Sequence, residues 1–287
     1  MSISSSAVIV ELNISVWTAE KLDRKATNAV LVANKASGDA AKVIKNLMAG
    51  TTLRKDIQDY AAGCRLWNNN KTLAWGEKGV RLLPTSIFMP YKLEVNGRRD
   101  MFNAQVNTFL AEYPTIVANY EKAASALGTL FDRDDYPHVD AVRELFGFRF
   151  VVSPVPDSGD FRVDIPQQDL EELKEDYADS FDSRLGDAMK ESWKRLHKML
   201  SGMSEKLNDG GDSETKKRYH ESLLTNALDL CEMLKHLNVT NDPALEQARK
   251  EVKAAVEGTN IEALKEDAHS RAGLKADVDA VLKQYEW

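Results

Sequence analysis

Between positions 170 and 207 a large apolar residue returns every three or four places: Leu170, Leu173, Tyr177, Phe181, Leu185, Met189, Trp193, Leu196, Leu200, Met203 and Leu207. That spacing marks one face of an α-helix. Unbroken, it would make a rod roughly 60 Å long at 1.5 Å per residue. An apolar stripe of this length must be covered by something. Asp209-Gly210-Gly211-Asp212 reads as a turn, and Tyr219, Leu223, Ala227, Leu230, Leu234 and Leu237 then form a second seam able to return along the first. The expectation is a long antiparallel helical hairpin, packed like a coiled coil. Asn241-Asp242-Pro243 caps a third helix with proline at its first position, and Thr259 opens a last one carrying Ile261, Leu264, Ala268, Val278, Leu282 and Tyr285.

The first half of the chain mixes two periods. Val8, Val10, Leu12, Ile14 and Val16 alternate with more polar neighbours, as in a strand over residues 7–17 with one buried face. Thr18 offers an N-cap for a helix through Leu22, Ala26, Val30 and Ala33, and Gly38 and Gly50 punctuate two further short helices. A longer helix runs from about Thr52 to Asn70. Val80 to Leu83 and Ile87 to Met89 read as short extended pieces bounded by Pro84 and Pro90. The stripe from Phe102 to Leu127 crosses Pro114, which predicts two helices in line or a kink. Past a helix near Asp140 to Leu145, alternation at Phe148, Phe150 and Val152 and again at Phe161, Val163 and Ile165 predicts a β-hairpin over residues 147–165, pairing in a small sheet with the N-terminal strand or the Val80 or Ile87 segments. The fold class is therefore mainly α with a small β-sheet (α+β), divided into a mixed domain, 1–165, and a helical one, 166–287.

Charge is unevenly spread along a chain whose net charge is −7. From Lys21 to Arg99 there are fifteen Lys or Arg against six Asp or Glu, and from Asp157 to Glu191 four against twelve. Such asymmetry points to charged faces that meet each other, within or between subunits, or meet a partner. No apolar stretch is long enough to cross a bilayer, and the start of the chain lacks the pattern of a signal peptide. Two distant cysteines, Cys64 and Cys231, fit a reducing cytoplasm better than a disulfide framework or a zinc site.

No phosphate loop or dinucleotide fingerprint is present. His220-Glu221 begins like a zinc-protease helix, but Leu224 stands where the second histidine must be. Asp132, Asp134, Asp135, His138 and Asp140 crowd together, as divalent-metal ligands would and, more commonly, as helix caps do. The expectation is that they cap, with no catalytic, cofactor-binding or metal-binding residue assigned. In the basic section Tyr60 and Trp67 fall on the apolar stripe, leaving Arg81, Arg98 and Arg99 as candidates for contact with single-stranded nucleic acid. The exposed hairpin tip, Pro154, Val155, Pro156 and Asp157, is the candidate protein-binding site.

Several blocks resemble one family. Val8-Ile-Val-Glu-Leu-Asn-Ile-Ser-Val-Trp17 is similar to its opening strand, Gly79-Val-Arg-Leu-Leu83 with Ile87-Phe-Met-Pro90 to its middle motif, and the Phe109 to Tyr120 helix and Phe146-Gly-Phe-Arg-Phe-Val-Val152 to its later blocks. It is an uncharacterised family, a domain of unknown function carried by bacteriophages and integrative mobile elements, often encoded beside MoxR-type AAA ATPases and von Willebrand A-domain proteins. The resemblance spans residues 7 to 205 in spaced blocks and brings no catalytic residues. It implies a phage or mobile-element accessory protein. With the charge asymmetry, the expectation is a non-enzymatic scaffold or adaptor that self-associates and binds a protein partner, such as an AAA ATPase, without a membrane or cofactor. The alternatives are a single-stranded DNA binder in replication or recombination and, from the acidic stretch, an inhibitor of a host defence enzyme.

Overall fold

The structure is a computed structural model that describes residues 3–76, 79–122, 126–156, 166–208, 220–285 and 287. In chain order the elements are α1 (Ile3–Ser6), β1 (Ala7–Ser15), β2 (Glu20–Leu22), α2 (Arg24–Ala33), β3 (Ile44–Asn46), α3 (Leu53–Lys71), β4 (Leu73–Ala74), β5 (Val80–Pro84), α4 (Phe88–Lys122), α5 (Val139–Arg143), β6 (Gly147–Pro154), α6 (Gln167–Leu207), α7 (Ser222–Leu237), α8 (Pro243–Val256), α9 (Ile261–Glu266) and α10 (Ala268–Gln284). The chain is mainly α, with one four-stranded sheet in the order β4-β5-β1-β6 and a two-stranded pair, β2-β3. β1 and β5 are antiparallel, with Ala7 opposite Pro84 and Val10 opposite Arg81. The expected partnership of the Phe148 strand with the N-terminal strand is present. The second arm of the expected hairpin, Phe161 to Ile165, lies outside the described residues, as does the Asp209 to Asp212 turn.

The chain groups into two compact units that interleave in sequence: Met1–Glu11 with Asn69–Tyr91 and Val151–Trp287, and Leu12–Asn68 with Lys92–Phe150. This differs from the expected division into 1–165 and 166–287, because strands far apart in sequence are needed to complete each core.

The first unit is built on the second half of α6. Its buried residues begin at Ala188 and run through Ser192, Leu196, Leu200, Met203 and Leu207. α10 and α7 both pack on this helix, and α8 packs on both of them. Leu223, Ala227, Cys231 and Leu234 of α7 join Leu245, Val252, Leu274 and Val278 in the same core. The far end of α7 lies beside the middle of α6: Leu237 shares a cluster with Ala188, and Trp193 Nε1 donates to Asp242 Oδ2 at 3.1 Å. The two seams therefore meet as an antiparallel pair, but as two sides of a larger helical bundle. Truncating a leucine as buried as Leu200 would cost about 2–5 kcal/mol.

The second unit centres on α4, whose Phe102, Val106, Phe109, Tyr113 and Val117 are buried with Ile57 and Ala61 of α3. Trp17 sits 6.3 Å from Phe109 and 5.8 Å from Tyr113, ring centre to ring centre. Phe146 and Phe148 close the same core against Phe109 and Phe102. At the start of β6 a Cβ on Gly147 would stand 2.8 Å from Ser15 Oγ, so a larger residue there would have to turn that hydroxyl aside.

Several local expectations are corrected. Thr18 does not cap α2. Leu22 is held in β2, and Asp23 accepts from Ala26 N at 2.9 Å instead. No helix forms around Gly38 or between it and Gly50, because β3 must pair with β2 and the chain turns at Gly50 with φ +85°. Ile87 lies in a 3-10 turn and Phe88 opens α4, so Pro90 falls in a first turn, where an N–H has no helical partner to lose. The last helix is two, since Asp267 accepts from His269 N and Ser270 N and starts α10 afresh.

Pro114 lies inside one continuous α4 rather than between two helices, and its ring is exposed. An interior proline forfeits one helical hydrogen bond and crowds the preceding turn. Pro114→Ala is expected to stabilise the chain by roughly 1–3 kcal/mol, read as a higher denaturant midpoint at unchanged slope. A lower midpoint would show that the proline sets a bend the core needs.

Candidate functional site

The last turn of α3 leaves backbone carbonyls without helical partners, and two arginines take them. Arg81, on β5, donates to Thr72 Oγ1 at 2.6 Å and Thr72 O at 2.9 Å, and Arg195, on α6, donates to Asn69 O and Thr72 O at 2.7 Å each. Glu191, one turn before Arg195, pairs with both guanidinium groups. Its other oxygen accepts from Ala74 N at 2.5 Å. β4 is a sheet edge, so this carboxylate covers an N–H that would otherwise be open to pairing. Burial acts to raise the Glu191 pKa, but the Ala74 N–H, Arg195 and Arg81 outweigh it and hold the carboxyl below its ordinary value. Burial also holds the Arg81 guanidinium below its ordinary range, although Glu191 acts to raise it.

The second unit has its own charged cluster. Asp135 is paired with Lys21 at 2.7 Å and with Lys45, and Lys45 also reaches Asp23 at 3.4 Å and donates to Leu130 O at 3.1 Å. Burial opposes ionisation of both Asp135 and Lys45. Their mutual pairing prevails, lowering the acid and raising the base. Of the remaining members of the acidic crowd two cap, Asp132 accepting from Asp134 N and His138 Nδ1 accepting from Asp140 N at the start of α5. Among the described residues no group of three or more His, Cys, Asp or Glu side chains is placed to hold a metal ion.

Arg81 is 13% exposed with its guanidinium engaged as above. Arg98 lies 4.5 Å over the Trp67 ring and pairs with Glu94 at 2.7 Å. Arg99 is exposed. Arg98 and Arg99 are thus neighbours on α4 that face different surroundings, and Arg81 serves the clamp in the other unit. Pro154 ends β6, Val155 is buried at 3%, Pro156 is exposed, and Asp157 lies outside the described residues. Val155 packs with Trp75, Leu82 and Ala188 and so belongs to the core of its unit.

Sequence reasoning missed Glu191, Arg195 and Lys45. Glu191 and Arg195 stand four apart, a recognisable helical ion pair, but nothing local says that a helix terminus and a strand edge lie against them. Lys45 in Ile44-Lys45-Asn46 gives no sign of burial at all.

Both cysteines are buried, and burial pushes the Cys231 thiol up to about 11, which leaves it protonated and unreactive near neutral pH. No helix among the described residues is long and apolar enough to cross a membrane. Comparison with protein-family models, with curated proteins and with solved structures finds no match to this chain.

Because the Glu191 pKa is lower folded than unfolded, its stabilisation is complete above the ordinary carboxylate value and drains away as pH falls through the folded one. Glu191→Gln should therefore cost roughly 1–3 kcal/mol at pH 7, allowing for partial exposure, with the deficit shrinking below pH 4. Equal deficits at pH 7 and in acid, measured by urea unfolding, would rule out an ionised clamp. Asp135→Asn leaves the buried Lys45 with only the longer contact to Asp23 and the Leu130 carbonyl and should cost about 2–4 kcal/mol in the same assay.

Proposed function

We propose that this chain is a non-enzymatic, self-associating scaffold or adaptor, of the kind phages and mobile elements carry, that binds a protein partner such as an AAA ATPase in the host cytoplasm. One observation carries the reading. α6 is 41 residues long, yet its first buried residue is Ala188. Over the preceding turns Leu173 is 37% exposed, and Glu171, Glu172, Glu175, Asp176, Asp179 and Asp182 are all exposed. A helix that stays formed while presenting an acidic, partly apolar surface is suited to docking. Elsewhere in the two units Glu191 is paired with its arginines and Asp135 with its lysines. Resemblance to the mobile-element family supports the context.

Co-purification with a MoxR-type AAA ATPase tests the reading. The wild-type chain is expected to be retained at low salt, and Glu171→Gln with Glu175→Gln to weaken retention by roughly fivefold or more. No retention at any salt concentration removes the ATPase as partner. A salt-dependent gel shift with single-stranded DNA, lost on Arg98→Glu and Arg99→Glu, would favour the nucleic-acid reading instead.

A further inference from the structure

The stretch from Glu20 to Asn46, in the second unit, leaves apolar side chains exposed on each of its elements. β2 and β3 are only three residues each, with Leu22 directly opposite Ile44. Alternation in the pair turns Lys45 inward and leaves Leu22 43% and Ile44 59% exposed. On α2, between the two strands, Leu31 is buried while Val30 is 40% and Val32 70% exposed. Directly opposed apolar side chains on an outer sheet face gain nothing from water.

The charges along this stretch are mainly basic, with Glu20 and Asp39 the exposed acids among them. Arg24, Lys25, Lys35 and Lys42 are exposed, and Asp23 is engaged by Lys45. Arg24 and Lys25 occupy the first turn of α2, which holds no acidic residue. The helix dipole makes that the least favourable place for a cation. An anionic surface laid against them would offset this local cost.

Such a surface exists on the first unit. Leu173 of α6, exposed, is ringed at four residues before, one before and three after by Asp169, Glu172 and Asp176, which share its side of the helix or border it and are all exposed. We infer that the β2–α2–β3 surface of one copy of this chain docks on the Leu173 surface of α6 in a second copy, apolar centre to apolar centre and basic rim to acidic rim. The inference rests on the self-association in the scaffold reading and names the faces that carry it. The two faces differ, so the contact is heterologous, and each copy retains one of each. Growth proceeds beyond a dimer, to a ring or an open chain.

Light scattering on the purified full-length chain tests this. At low salt the mass should rise with concentration above the 32.1 kDa of one chain and fall back towards it in about 0.5 M salt. Arg24→Glu with Lys25→Glu, changes that suit a helix first turn and so spare the fold, should weaken association roughly tenfold or more. Glu172→Lys with Asp176→Lys should do the same. Mixing the two double variants should restore a complex that neither forms alone. A wild-type chain that stays at one-chain mass at every concentration overturns the inference. So does association that neither variant alters, or single-stranded DNA binding that Arg24→Glu with Lys25→Glu abolishes in a chain that does not self-associate. If the chain stays monomeric but still co-purifies with the ATPase, the adaptor reading survives and this pairing does not.

Discussion

Everything in the first unit depends on one line of side chains, Ala188 to Leu207 on α6, that water cannot be allowed to reach. α7 and α10 cover it from two sides, and α8 bridges them. With burial of a leucine side chain contributing about 1.5–3 kcal/mol, this line outweighs any of the ion pairs around it. The charged groups then settle what the apolar packing leaves open. Glu191, one place before buried Ser192, holds two arginines on the carbonyl end of α3 and closes the N–H of the β4 edge. A helix end and a strand edge, each with unsatisfied backbone groups, are served by one carboxylate.

The second unit reaches the same end by different means. Its core is aromatic, with Trp17, Phe109 and Tyr113 in mutual contact, Phe146 against Phe109 and Phe148 against Phe102. Tyrosines there turn their hydroxyls to backbone carbonyls, Tyr113 to Pro137 and Tyr136 to Leu47. Desolvation pushes the Tyr113 hydroxyl up to about 12, as expected of a phenol used as a permanent donor. The Lys45–Asp135 pair ties β3 to the turn before α5. These polar contacts fix which segments lie side by side, a matter on which a wholly apolar core would be less particular.

Much of this architecture can be read from the order of residues. The period of 3.6 along α6 and α7, the Asp242-Pro243 start of α8 and the alternation in β1 and β6 are local signals, and the elements follow them. The misreadings occur where a distant partner decides. Leu22 looks like the first apolar position of a helix until Ile44 arrives beside it. Pro114 looks like a boundary, but the buried residues on either side, Tyr113 and Val117, hold the helix through it. The candidate residues show the same division. An arginine in a basic stretch says that it is charged, whereas only the fold reveals that Arg81 spends its hydrogen bonds on Thr72 and Asn69 and that Arg98 covers Trp67.

The exposed portion of α6 has a consequence for how the molecule responds to its surroundings. Glu171 and Glu175, Glu172 and Asp176, and Glu175 and Asp179 each stand four apart on the helix, where like charges repel. Phe181 and Leu185 pack on the core and Phe181 meets Trp75, but from Gln167 to Asp176 no side chain is buried to oppose that strain, and helical turns without tertiary support are marginal in water. The rod is therefore rigid at one end and tunable at the other. Counterions, polyamines or lower pH would wind its outer turns more tightly, and dilution of the medium would let them fray. Its effective length is thus set in part by the ions around it.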